Sequence, residues 1–234
     1  MRPALTPRAR SFAISSVAAS LDSLWASDEK NSKTIGYILW WVCLASVLGC
    51  GAKTPKLGKL APGYVVVAFG DRLTFGTGVN EAESYPAVLA QLISRKVVRA
   101  GVPGEQTDGG LARLQGVLDE HKPKMMIVCL GGNDMLRKVD EAQTKTNLRA
   151  ILKSIQSQGV AVVLVGVPRP ALMTSAAPFY EDIAREFAIP YEGRIVTDIL
   201  YRQDEKSDLI HPNAKGYKRM AEGIAALLKK AGAV

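Results

Sequence analysis

Apolar and polar positions alternate along this chain in two different periods, and the two take turns. Short stretches over 64–69, 97–100, 125–130, 160–167 and 191–196, most of them apolar, are read as strands. Between and after them, apolar residues recur every three or four positions over 84–95, 107–120, 140–158, 178–188 and 212–231, the period of a helix that buries one face. Regular β-α alternation predicts an α/β fold with a parallel sheet covered by helices on both faces. Right-handed crossovers narrow this to a three-layer α/β/α, flavodoxin-like sandwich with a five-stranded parallel sheet, whose ligands bind at the carboxyl ends of the strands. No internal repeat or low-complexity stretch interrupts the pattern.

The loops at those carboxyl ends carry the chemistry. The first strand runs into Gly70-Asp71-Arg72-Leu73, a turn with a charged side chain at its tip. After the second comes Ala100-Gly101-Val102-Pro103-Gly104-Glu105-Gln106-Thr107, and after the third Gly131-Gly132-Asn133-Asp134. Asp208-Leu209-Ile210-His211-Pro212 precedes the terminal helical stretch. Each piece has an ordinary structural explanation. Glycines after strands are usually turns, Asn133-Asp134 suits a helix N-cap, and Asp71 suits a turn that satisfies backbone N–H groups.

A base that shuttles protons near neutral pH points to histidine, and the chain has 2. His121 lies in the charged connection Glu120-His121-Lys122-Pro123-Lys124 with only its neighbour to orient it. His211 is the better base, because Asp208 three residues earlier can accept from its Nδ1–H and fix the tautomer. Pro212 suits the first helical position, which would place His211 at the helix entrance.

Taken together and in this order, the loops from Gly63 to Val234 resemble the SGNH (GDSL) hydrolases. The likeness is greatest to the small bacterial thioesterase, lysophospholipase and arylesterase group, through Gly109-Gly110-Leu111-Ala112-Arg113-Leu114 as well. The resemblance implies an esterase acting on short to medium acyl esters or thioesters, with no cofactor and no metal. It implies Gly104 and Asn133 as oxyanion donors, Asp208 and His211 as the acid and base of a triad, and Asp71 as a support of the turn. The family's serine nucleophile falls at Arg72, which would also head the oxyanion hole.

A guanidinium stays protonated and cannot attack a carbonyl. No Gly-x-Ser-x-Gly elbow replaces the serine elsewhere. Ser84 reads as an N-cap, Ser175 has no base assigned to it, and Thr74 would face away. The Arg72 head group is expected to pair with Asp208 or with a substrate anion. Four readings stay open: an esterase carrying a substitution or a sequence error at 72; a pseudoenzyme that clamps an acyl or anionic group with Arg72; a hydrolase in which His211 activates water; and an aspartyl nucleophile at Asp71, which the later loops do not fit.

Composition changes one part of the picture. The net charge of +8 is concentrated at the N-terminus: residues 1–62 hold 8 Lys+Arg against 3 Asp+Glu, leaving 22 against 19 for the rest. That argues against a nucleic-acid footprint, which needs basic residues clustered on a folded face. Lys30 and Lys33 precede the 15-residue apolar run from Ile35 to Gly49, too short for a comfortable bilayer span and suited to a signal segment. It ends in Val47-Leu48-Gly49-Cys50, which resembles a bacterial lipobox, with Cys50 as the lipidated residue. The expected organisation is a signal segment over 1–50, a basic tether over 51–62, and the hydrolase domain over 63–234. A lipid-anchored, monomeric protein of the periplasm or cell envelope follows. Cys129, alone in a strand, is expected to be a small core residue.

Overall fold

The computed structural model describes residues 53–169 and 175–234, and the segment from Thr54 to Val234 forms one compact unit. The apolar run of residues 35–49 and Cys50 lie outside the described residues.

Five strands form a wholly parallel sheet in the order β2-β1-β3-β4-β5. These are β1 (Val65–Gly70), β2 (Lys96–Gly101), β3 (Met125–Cys129), β4 (Ala161–Val165) and β5 (Tyr191–Glu192). The three central strands are almost wholly buried, as expected of strands covered on both faces. Helices α1 (Arg72–Phe75) and α2 (Tyr85–Ile93) follow β1, α3 (Thr107–His121) follows β2, and α4 (Gly132–Leu136) and α5 (Glu141–Ser157) follow β3. Then come α6 (Phe179–Glu186), α7 (Ile195–Tyr201) and α8 (Ala214–Ala231).

The chain steps from β1 outward to β2, then back across β1 to β3 and onward to β4 and β5. Right-handed crossovers therefore put α2 on one face and α3, α5 and α6 on the other. The packing agrees: α2 packs on α8, and α3 packs on α5. Helix α8 buries Tyr217, Met220, Ala221, Ile224, Leu227, Leu228 and Ala231, one continuous stripe at helical spacing. Asn213 caps its start by accepting from the Gly216 N–H, and Gly232 at φ 84° ends it. The reversal of direction between β1 and β3 opens a crevice at their carboxyl ends, where α/β sheets of this order bind ligands.

Three expectations need correction. The fifth strand, expected over 191–196, is two residues long, and its second half is the start of α7. Glu192 Oε1 accepts from the N–H groups of Arg194 and Ile195, both at 2.9 Å, and this capping turns the chain into a helix that buries Val196, Ile199 and Leu200. The spacing of those residues is helical once 197–200 are included. The terminal helix begins at Ala214 rather than Pro212, because Pro212 instead bridges to Lys206.

The tether expected over 51–62 is, from Thr54 onward, part of the compact unit. Leu57 and Leu60 donate their N–H groups to the carbonyls of Ala231 and Ala233 at 2.9 and 2.8 Å, and the Leu60 side chain is 3% exposed. No helix among the described residues is long and apolar enough to cross a membrane.

Candidate active site

The tip of β1 is built to hold a tight turn. A Cβ on Gly70 would lie 2.3 Å from the Cys129 carbonyl oxygen, and one on Gly101 would lie 2.2 Å from the Phe75 nitrogen. Only glycine lets β1, β2 and α1 approach this closely. Asp71 caps α1 by accepting from the Leu73 N–H at 3.1 Å through Oδ1. Its Oδ2 accepts from Asn133 Nδ2 at 2.9 Å, tying the β1 turn to the β3 turn. Asp71 is 4% exposed, and burial pushes its carboxyl up to about 7, against the opposing pull of the Leu73 N–H and the Arg72 charge.

Asn133 sits in the first turn of α4 rather than at its cap, and the cap position belongs to Gly131. Its second amide hydrogen goes to the Glu105 carbonyl at 2.8 Å, so both Nδ2 hydrogens are engaged inside the protein. Its Oδ1 accepts from Arg72 Nη2. The expected pairing of Arg72 with Asp208 does not form: Arg72 makes no ion pair among the described residues, and its guanidinium turns to the neutral amide of Asn133 instead.

His211 is 9% exposed and its Nδ1 lies 2.6 Å from Asp208 Oδ2. The other carboxylate oxygen accepts from the N–H groups of Ile210 and His211 at 2.8 and 2.9 Å, closing the loop into a compact turn. Partial burial raises the Asp208 carboxyl, but these hydrogen bonds, the one with the ring foremost, outweigh it and hold the group below the usual carboxylate range. The pair fixes the ring orientation and leaves Nε2 as the nitrogen available to a reactant.

Arg72, Asn133, His211 and Asp71 line one groove of about 60 Å³. Its remaining walls are mostly apolar, from Leu73, Leu136, Val167, Pro168, Leu200 and Ile210. Gly104 does not line it. With φ 81°, Gly104 sits in the turn after β2 with Arg137 as the nearest side chain. His121 ends α3, 3.7 Å from Glu120 and apart from the groove.

The hydroxyls and the thiol are accounted for elsewhere. Thr74 pairs with Tyr85 at 3.1 Å in the core, Ser84 precedes α2 but donates to the Glu81 carbonyl rather than capping by its side chain, and Ser175 is exposed. Cys129 is fully buried, and burial pushes its thiol well above its ordinary value.

Two supports escaped the sequence reading. Arg113 on α3 grips both oxygens of Glu105 at 2.6 Å and donates to the Ala100 and Gly70 carbonyls at 3.0 and 3.3 Å, clamping the ends of β1 and β2 to the turn after β2. Asp134, buried beside Asn133, accepts from the Thr107 N–H and hydroxyl, at 3.0 and 2.6 Å, and so joins α4 to the start of α3. The available signal was a charged residue on the buried side of a helix, at Arg113 between Gly110 and Leu114.

Comparison with known proteins agrees with this architecture. Over 179 residues the chain is 29% identical to the thioesterase 1/protease 1/lysophospholipase L1 of Escherichia coli K12, covering 73% of this chain and 86% of that protein. It is 32% identical over 133 residues to the esterase TesA of Pseudomonas aeruginosa PAO1, covering 55% and 62%. Among solved structures, a crystal structure of TesA superposes with a TM-score of 0.63 at 25% identity, over 71% of this chain and 99% of that one. The SGNH-hydrolase esterase AlinE4 gives 0.55 at 29% identity, over 74% and 98%. The profile of the GDSL-like lipase/acylhydrolase family matches residues 68–219. That span runs from the middle of β1 into α8 and takes in all the lining of the groove, and this chain belongs to the GDSL-like lipase/acylhydrolase family, whose members among its relatives are esterases and thioesterases.

Proposed function

We propose that the groove is the active site of a carboxylic-ester hydrolase for short to medium acyl esters or thioesters, strongly impaired in this chain because Arg72 stands where the family has its nucleophilic serine. The observation that carries the reading is the His211–Asp208 pair at 2.6 Å, whose ring lines the same groove as Arg72. With a serine at 72, His211 Nε2 would take the hydroxyl proton as oxygen attacks the acyl carbon and return it to the leaving alcohol or thiol, while Asp208 stabilises the imidazolium. Asn133, and the Gly104 N–H if the turn after β2 moves inward, would face the oxyanion. An arginine supplies none of the first step. Its guanidinium bond to Asn133 Oδ1 also holds the amide in its present orientation, with both hydrogens already taken by Asp71 and the Glu105 carbonyl.

The test is Arg72→Ser. Losing a triad nucleophile costs about 10⁶ in turnover, with about 10³–10⁴ over water remaining from binding and oriented donors. The serine variant should hydrolyse p-nitrophenyl acetate at least about 10³-fold faster than the parent, and His211→Ala in that variant should remove the gain. A serine variant that is folded by circular dichroism and no faster than the parent overturns the reading.

We infer in addition that Cys50 is a lipidated N-terminal residue and that the protein is held at the cell envelope. The support is the 15-residue apolar run after Lys30 and Lys33 and its Val47-Leu48-Gly49-Cys50 end.

A further inference from the structure

We propose that in this chain the groove is a binding site for a short aliphatic carboxylate, the free acid rather than its ester. The inference shares the groove with the hydrolase reading but uses none of its chemistry. Arg72 brings a permanent positive charge into a cleft with mainly apolar walls, and among the described residues it makes no ion pair, the buried Asp71 beside it being the acid that feels its charge. Among the described residues its guanidinium makes one hydrogen bond, to the side-chain carbonyl oxygen of Asn133, which leaves most of its five donors open to a ligand. The one acid in the lining, Asp71, is itself buried, with both oxygens engaged by Leu73 N and Asn133 Nδ2.

A half-buried cation with no hydrogen-bonded ion-pair partner is unfavourable, and a planar carboxylate repairs it with two parallel N–H···O bonds in the geometry a guanidinium fork presents. His211 adds a second donor when protonated, because Nδ1 is held by Asp208 and Nε2 remains. The rest of the ligand is read from the walls. Leu136, Val167, Pro168, Leu200 and Ile210 offer no polar side chain, so the tail that fits is a hydrocarbon. A groove of about 60 Å³ has room to cover only the first carbons of that tail. Inorganic phosphate suits the site poorly: it carries more charge than one guanidinium neutralises and has nothing to set against the apolar walls.

Calorimetry on the purified full-length chain decides the matter, with acetate, butanoate, inorganic phosphate and n-butanol as probes. Butanoate should bind saturably at one site and more tightly than acetate, by about fourfold per methylene until the groove is full. Phosphate should bind more weakly than butanoate, and n-butanol should give no saturable heat. Arg72→Ala should weaken butanoate at least tenfold, and Arg72→Lys should fall between, since an ammonium keeps the charge but loses the fork. Arg72→Gln serves as a second neutral variant should the alanine protein fail to fold. Absence of saturable butanoate binding overturns the proposal. So does phosphate binding as tight as butanoate, or undiminished butanoate binding by a folded neutral variant. The two readings fail separately: an active Arg72→Ser protein beside a parent that ignores butanoate sinks only the carboxylate site, and the reverse pair of results sinks only the hydrolase.

Discussion

Asp71 holds the β1 turn and the β3 turn together with one carboxylate, and it does so almost out of contact with water. Its folded value of about 7 lies above the ordinary 3.8, so the native state binds this proton more tightly than the unfolded chain does. The contribution to stability is therefore complete below the unfolded value and is lost as pH rises through about 7. A shift of this size corresponds to a loss on the order of 4 kcal/mol. Asp71→Asn removes the titration while keeping an acceptor for Leu73. Its melting temperature should fall less than the parent's between pH 5 and pH 8.5 in thermal scans, and parallel curves would exclude Asp71 as the responsible group. The sequence made Asp71 legible as a turn former, since the spacing to the Leu73 N–H is local. Its bond to Asn133 spans 62 positions and depends on how β1 and β3 pair, which no local pattern contains. Arg72 turning to Asn133 rather than Asp208 escaped for the same reason.

At the scale of elements, the long periodic stretches were readable and the short ones were not. Helices α3, α5 and α8 lie within two residues of their expected bounds, because many apolar positions vote for one face. Helices α1 and α4, of four and five residues, are too short for a period to show, and α7 was hidden by a strand-like start. Within these elements Arg113 is the clamp: it ties α3 to the ends of β1 and β2 through Glu105, whose side chain is only 7% exposed. Removing one partner of such a pair leaves a buried charge uncompensated. Arg113→Ala should lower unfolding stability by about 3–5 kcal/mol, while Arg113→Met combined with Glu105→Leu should cost less than the single change. Urea denaturation measures both, and a loss under about 1 kcal/mol for the single variant would show that the pair does not hold the turn.

For the molecule as a whole, the parallel five-stranded sheet and three-layer architecture followed from β-α alternation and the handedness of crossovers, which are global rules. Where the domain begins did not, because lysines and prolines over 51–62 look like a solvated link, yet Leu60 finds a place in the core and Arg95 donates to its carbonyl at 2.8 Å. The folded unit thus starts only a few residues after Cys50. If Cys50 is lipidated as proposed, the domain is held close to the bilayer rather than on a long leash. Mass spectrometry of the protein purified from native membranes should give a diacylglyceryl-modified Cys50 as its first residue. An intact chain beginning at Met1 with an unmodified Cys50 would end that proposal.

The two residues of β5 have a consequence for how copies of the protein behave toward one another. A parallel sheet has two open edges, and each is a template on which a neighbouring molecule can lay a strand. On one side that template is too short to register a partner. On the other, β2 carries the exposed Lys96 and the Arg99–Glu81 ion pair, so a strand laid against it would have to settle beside charged groups. Crowded together, folded copies have no long neutral margin along which to fuse into larger sheets.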